Sequence, residues 1–508
     1  MTYAIMELKD MKGFILTSDS YDQGIPAGVN RHVTVFHGKG ERGPFELRFT
    51  NNLPLFFVDR AADFQLAPGI ERKQVDLKNF QGNAVDCLYF QTYDQLLKTR
   101  DDLASKGVRT FESDVRTPER FLMERFINGA VEVQGESTIE NGKLVFNNPT
   151  IRKADYLPNL EICSLDIETS MGNDLFSIAL HQYGNEEKKI VFMRGEPRPT
   201  ELEYMKLFSS EKEVLLAFLQ CLSEWDPDIL IGWHVVGFDL AFLEKKCQQY
   251  GLELTIGRSR RAARIVERKG AGWFARLDGR VVVDGPQAMR AAFYSFENFK
   301  LQTVASEILG ASKDIEATGM DKVEEIERRF REDKESLAKY NLLDCELVSE
   351  IYQKTGLIEL ITTRVTLSGM LMDRIGVSTA AFDHFFLPRL HRKGFVASNI
   401  IDIVREGHAA GGLVIDSVVG LHDNVAVLDF KSLYPSIIRT FKIDPYSRLM
   451  QDHNPVTTPA GLKFSGTEHI LPDFIEELME KRKNAKELGD ALTGRTGTGN
   501  RKAGRIQP

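Results

Sequence analysis

The stretch EICSLDIET, residues 161–169, decides how the chain is read. A strand's period of two puts Cys163, Leu165 and Ile167 on one face and Asp166 and Glu168 on the other. Two neighbouring carboxylates at a strand's end repel one another and cost stability unless a cation neutralises them. A lone D-x-E is more often a pair of solvated acids. Two further stretches change the balance. GWHVVGFDLAFLEKKC (232–247) places Asp239 just after a buried strand, at the start of a helix. KYNLLDCELV (339–348) places Tyr340 and Asp344 four apart, on one helical face. Each alone has a plain reading, as an N-terminal helix acid and a surface pair; the three in one order make chance a poor account.

Working outward, strands at EICSLDIET, KKIVFMRG, DILIGW and GRVVVDG alternate with helices at EKEVLLAFLQCLSEW, LAFLEKKCQQYG and ESLAKYNLLDCELVSEIYQKTG. That alternation predicts a layered α/β domain, which we bound at 151–360. Upstream, short apolar runs such as HVTVFHG, FELRFT and LPLFFV separated by Gly, Asn and Asp turns predict a β-rich N-terminal domain over 1–150, with a helix QLLKTRDDLASKG that stops at Gly107. Downstream we expect a helical connection over 361–420, a strand and turn at VLDFKSLYPS (427–436) within 421–470, a charged helix over 471–488, and a basic Gly/Thr tail over 489–508.

Composition bounds the function. The 508 residues are 42% hydrophobic and 27% charged, as in a soluble globular protein. The five cysteines form no C-x-x-C pair, so a zinc site and a disulfide framework are both unsupported. No signal peptide or long apolar run is seen, and the scattered cysteines make a reducing cytoplasm the default, with no membrane partner. The net charge of −8 argues only weakly against nucleic acid, because phosphate affinity depends on where Lys and Arg sit.

The acid set fits hard divalent cations, which take carboxylate oxygens. Two such ions roughly 4 Å apart can activate a water and steady the leaving oxygen of a phosphodiester. Asp166, Glu168, Asp239 and Asp344 would supply the ligands to two Mg²⁺ ions, with Mn²⁺ as the alternative, and Tyr340 would hold the attacking water.

The order SLDIET, GWHVVGFD, YNLLD, with VLDFKSLYPSIIRTF after it, resembles the motifs of family B DNA polymerases over roughly residues 1–488. The resemblance implies a multidomain α/β chain, α+β overall. It would hold a ribonuclease H-like 3′–5′ exonuclease domain after the β-rich N-terminal domain, followed by an incomplete family B palm. By the same resemblance the enzyme is a DNA-directed DNA polymerase with proofreading, acting in replication and repair on primer 3′ ends, single strands and primer–templates. His234 and Phe238 would lie along the single strand, although the family usually has Asn at the position of His234. Gly411 and Gly412 would form a backbone-close loop on DNA, or an ordinary linker.

In the palm pattern Asp429 is the first of two aspartates, and Phe430 adds a carbonyl to the metal shell. Ser432 and Leu433 would line the deoxynucleoside triphosphate, with Tyr434 against its sugar. Arg482 and Lys486, at i and i+4 on the charged helix, would reach the triphosphate. The family's Tyr-Gly-Asp-Thr-Asp, which carries the second palm aspartate, does not occur in these residues. We therefore expect retained exonuclease, lost polymerisation, no sliding-clamp contact, and a frame change or early stop near Leu488. The alternative is a non-catalytic DNA-binding remnant or an unstable product.

Overall fold

The computed structural model describes residues 10–24, 30–259, 261–270, 272–310, 320–374, 378–404, 415–430, 432–450 and 453–492. The chain divides into two units, one of residues 1–53 and 116–384, the other of 54–115 and 385–508. Residues 1–150, expected as one β-rich domain, thus contribute to both.

The first unit holds two large sheets and the two-stranded hairpin Arg264–Arg268/Gly272–Arg276. Its six-stranded sheet is ordered Met205–Phe208, Lys188–Arg194, Leu175–Tyr183, Ile162–Thr169, Ile229–Gly232, Val281–Asp284. Ile162–Thr169, Leu175–Tyr183 and Lys188–Arg194 form an antiparallel meander, while Ile229–Gly232 and Val281–Asp284 extend the sheet in parallel. This mixed sheet fits the ribonuclease H-like α/β domain that the resemblance implies. Leu175–Tyr183 was not foreseen: eight of its nine residues are buried, so it shows no polar alternation.

Both faces of this sheet are covered. Cys163, Leu165 and Ile167 pack with Leu215, Phe218 and Leu222 of the helix Glu211–Trp225. On the other face Ile162, Ile229, Ile231, Val281 and Val283 pack with Leu347, Val348, Ile351 and Tyr352 of the helix Lys334–Thr355. That helix begins at Asp333, whose carboxylate accepts from the Ser336 amide, and ends at Gly356 with φ +61°.

Buried charges anchor the open end of the sheet. Asp228, fully buried, accepts from the Glu161 amide at 2.8 Å and from Arg258 at 2.7 Å. Arg280, 2% exposed, donates to the Pro227 carbonyl at 2.6 Å, to Asp226 at 3.0 Å and to the Ile256 carbonyl. Burial lowers its pKa to about 10, so it stays charged at neutral pH. The same network reaches the seven-stranded sheet, ordered Thr150–Lys153, Ala130–Gln134, Met11–Gly24, Asn30–Gly40, Gly43–Phe49, Lys143–Asn147, Ser137–Glu140. There Lys143 pairs with Glu46 and donates to the Arg258 carbonyl, and the Gly279 amide donates to Thr17 at 2.9 Å.

In the second unit the strands Glu71–Lys78, Ala84–Tyr89, Leu55–Asp59 and Thr110–Phe111 form one sheet in that order, beside the helix Tyr93–Ser105. Residues 391–399 lock onto it. Glu112, 1% exposed, accepts from His391 at 2.8 Å and from the Ala397 amide at 2.9 Å. Asn399 accepts from the Ser113 amide and donates to the Thr110 carbonyl. Further on, Asp444 accepts from four backbone amides, those of Tyr446, Ser447, Ile470 and Leu471. It thereby caps both the helix Pro445–Leu449 and the start of the helix Leu471–Leu492.

The expected strand at 427–429 does not form. Residues 421–430 are exposed and carry neither helix nor strand, because no described strand pairs with them. The connection 361–420 is helical at Leu357–Ser368 and Ser378–Arg392 and irregular over 393–404, apart from the single turn Ile400–Asp402.

The first unit carries an acid-sensitive cluster. Burial holds His37 down to about 4, against the pull of Glu46. Glu46 is held down to about 2, because His37, Lys143 and Arg48 outweigh the upward push of its burial. Each folded pKa lies below the unfolded one, so each contribution is present above the unfolded value and fades as pH falls. The melting temperature is expected to drop between pH 6.5 and 4 through His37 and further below 4.5 through Glu46. His37→Gln should flatten the upper part of that curve in calorimetry.

Candidate functional site

The site is built from one strand, one turn and one helix of the first unit. On Ile162–Thr169, Asp166 and Glu168 face away from the core that takes Leu165 and Ile167. Opposite them across the antiparallel ladder stand Ala179 and Ser177, both small and fully buried. Small partners let the helix Lys334–Thr355 approach closely, and the Cys345 thiol lies 3.4 Å from the Ala179 carbonyl. The helix then brings in Asp344, 3% exposed, and Tyr340, 1% exposed.

Asp166, Glu168 and Asp344 offer ligand atoms within 4.8 Å of one another, the one such acid group among the described residues. Asp239 stands beside them, 2% exposed, its Oδ1 accepting from the Ile167 amide at 3.1 Å. Burial, and then the charge of Asp166, pushes its pKa well above the usual carboxylate range, against the lowering effect of its backbone hydrogen bonds. The Tyr340 hydroxyl is likewise pushed up, by burial first and then by Asp344.

Asp239 reaches the site by a route not foreseen in the sequence. Val236–Leu240 is a π-helical turn, with the Leu240 amide donating to the Val235 carbonyl at 2.8 Å, before the α-helix Ala241–Gln249. The turn leans on the hairpin Arg264–Arg268/Gly272–Arg276 at Gly237, where a Cβ would lie 2.8 Å from the Trp273 ring. His234 precedes the turn and Phe238 lies within it, both exposed, Phe238 at 52%. His234 has φ +61°, a left-handed conformation that Asn and His adopt more readily than most residues. His can therefore stand where the resemblance expects Asn.

Two neighbours were missed. Asn341, between Tyr340 and Asp344, donates to Asp166 at 2.7 Å. The Lys322 ammonium lies 5.5 Å from the centre of the Tyr340 ring. Asn341 was visible as the polar residue next to Tyr340; Lys322 carried no periodic signal.

The second unit is less assembled. Asp429 is exposed and joins no acid cluster among the described residues, and Phe430 and Tyr434 are each 78% exposed. Ser432 (φ +54°) precedes the helix Leu433–Phe441, and Arg482 on Leu471–Leu492 donates to its hydroxyl at 3.3 Å. The structure thus brings together two of the expected nucleotide-binding residues. Leu433 is 43% exposed, and Lys486 lies one turn beyond Arg482, exposed. Gly411 and Gly412 lie outside the described residues.

Four acids gathered at one end of a mixed sheet define a domain suited to hold divalent cations, and comparison with known proteins gives it a family. Residues 108–304 match the exonuclease domain of DNA polymerase family B, and residues 376–490 match DNA polymerase family B itself. The chain is 39% identical over 498 residues to DNA polymerase II of Escherichia coli K12, covering 94% of this chain and 61% of that one. It is 26% identical over 439 residues to the DNA polymerase of Thermococcus sp. strain 9oN-7, covering 82% and 52%. The family B DNA polymerase of Pyrobaculum calidifontis shares the fold, with a TM-score of 0.72 at 17% identity over 95% of this chain and 64% of that one. The chain belongs to DNA polymerase family B, and spans about half to three-fifths of the curated relatives named here.

The donor set suits Mg²⁺ or Mn²⁺: oxygen ligands only, with clustered negative charge that pushes the Asp239 pKa up. Millimolar Mg²⁺ is expected to raise the melting temperature over an EDTA control. Asp239→Asn keeps the acceptor for Ile167 and removes one charge. It should melt higher than the parent in EDTA and respond less to Mg²⁺, as scanning fluorimetry would show.

Proposed function

We propose that the first unit is a 3′–5′ exonuclease acting on DNA, and that this chain shortens primers without extending them. The observation that carries the reading is the convergence of Asp166, Glu168 and Asp344, with Asp239 beside them, on one end of the sheet. A bound pair of Mg²⁺ ions would supply neutralisation of the phosphate charge and a water acidic enough to attack. The chain's own residues do the rest. The carboxylates fix where the 3′-terminal phosphodiester sits. The Tyr340 hydroxyl, facing Asp344, orients the attacking water, whose proton passes to the surrounding carboxylates. Attack at phosphorus breaks the bond to the 3′ oxygen of the preceding nucleotide, releasing a nucleoside monophosphate and a new 3′-hydroxyl. His234 and Phe238, exposed beside the site, offer a ring edge and a stacking face to a single strand.

Polymerisation by two-metal transfer needs a second carboxylate beside Asp429. Asp429 belongs to no group of three or more ligating side chains among the described residues. Ser432 and Arg482 would hold triphosphate oxygens in a complete palm, with Leu433, Tyr434 and Lys486 nearby. In the whole family protein these parts serve DNA replication and repair. No described helix is long and apolar enough to cross a membrane.

The test is a 5′-labelled recessed primer–template with Mg²⁺ and all four deoxynucleotides. The parent is expected to shorten the primer, and Asp166→Ala/Glu168→Ala to be slower by about three orders of magnitude, equivalent to about 4 kcal/mol of barrier. A folded parent that leaves the primer intact overturns the exonuclease reading. Lengthening by the parent but not by Asp429→Ala overturns the polymerase part.

A further inference from the structure

Asn341 is fully buried on the helix Lys334–Thr355, one residue after Tyr340 and three before Asp344. Its Nδ2 donates to Asp166 Oδ2 at 2.7 Å, and its Oδ1 accepts from the Ser177 hydroxyl at 2.7 Å. Ser177, also fully buried, sits directly opposite Glu168 on the neighbouring strand.

The chemistry of the three groups allows one orientation. An ionised carboxylate only accepts, so the amide must turn its nitrogen to Asp166. The amide oxygen then faces Ser177, whose hydroxyl must donate. A hydroxyl on one strand therefore sets the amide of a helix residue, and that amide sets a carboxylate on the next strand. The interaction with Asp166 is charge-assisted and partly shielded from solvent, which strengthens such a bond.

Asp166 needs this restraint. It adds to the charge that raises the Asp239 pKa, and it shares the ligand cluster with Glu168 and Asp344. The hydrogen bond from Asn341 opposes rotation of the carboxylate away from those like charges. With Oδ2 held by Asn341, the carboxylate of Asp166 is set in one orientation within the ligand cluster. Mg²⁺ demands near-ideal octahedral geometry and tolerates misaligned ligands poorly.

We propose that Asn341, oriented by Ser177, is the positioning residue that fixes Asp166 as a metal ligand. The inference rests on the metal-dependent exonuclease reading above. It assigns Asn341 no contact with substrate: the residue acts through Asp166.

The test is Mg²⁺ binding by isothermal titration, beside melting in EDTA and in Mg²⁺, on the full chain. Loss of an outer hydrogen-bond partner of a metal ligand typically weakens binding by roughly 10- to 100-fold. Asn341→Ala is expected to weaken Mg²⁺ binding within that range and to lose most of the Mg²⁺-dependent rise in melting temperature. Ser177→Ala, which frees the amide but keeps it, is expected to weaken binding by a smaller factor. It decides the question if Asn341→Ala fails to fold. A purely structural role would lower melting equally in EDTA and Mg²⁺ and leave the dissociation constant unchanged, and that result overturns the inference. A folded parent that binds no Mg²⁺ overturns the exonuclease reading instead.

Discussion

Repulsion among buried carboxylates is the constraint around which the first unit is arranged. Asp166 and Glu168 project from one strand, Asp344 from a helix and Asp239 from a turn, and three of the four are less than a tenth exposed. Gathering that much like charge away from water costs folding free energy and raises the Asp239 pKa. The surroundings limit the cost piece by piece. Backbone amides donate to Asp239, the Asn341 amide donates to Asp166, and small residues at 177 and 179 leave room for the helix that brings Asp344. The sheet beneath is correspondingly rigid, packed on both faces and pinned at its far end by Asp228, Arg258 and Arg280.

The second unit solves a different problem, that of joining chain segments nearly three hundred residues apart. Glu112 and Asn399 do this with directional hydrogen bonds, beside the apolar packing of Val396 on Phe57 and Phe111. Glu112 ties His391 and the Ala397 amide to the 54–115 segment, and Asn399 satisfies Thr110 and Ser113 together. Buried polar groups with every partner in place specify one register, whereas an apolar contact tolerates slippage.

These long-range ties explain what sequence reading reached and what it did not. The D-x-E strand, the Tyr340/Asp344 pair and the helices Glu211–Trp225 and Lys334–Thr355 were legible because each is written in a local period. The strand Leu175–Tyr183 was not, since a strand covered on both faces loses the alternation that marks it. The split of residues 1–150 between two units depends on Glu112 and Asn399, whose partners lie far along the chain. The strand expected near Asp429 had the right composition, but a strand is a property of a pair, and no described strand pairs with it. Asn341 shows the opposite limit. It was in plain view inside the quoted motif, yet its value comes from Ser177, a residue on an unrecognised strand.

The π-helical turn at Val236–Leu240 has a consequence for heredity. Such a turn holds one residue more than an α-helix would over the same span. Removing a single codon there would relax the turn to ordinary helix, with the following helix Ala241–Gln249 intact. Asp239 would swing about 100° around the axis, the angle one helical residue subtends, and leave the other three acids. A lineage could thus silence this site by a one-residue deletion and regain it by one insertion.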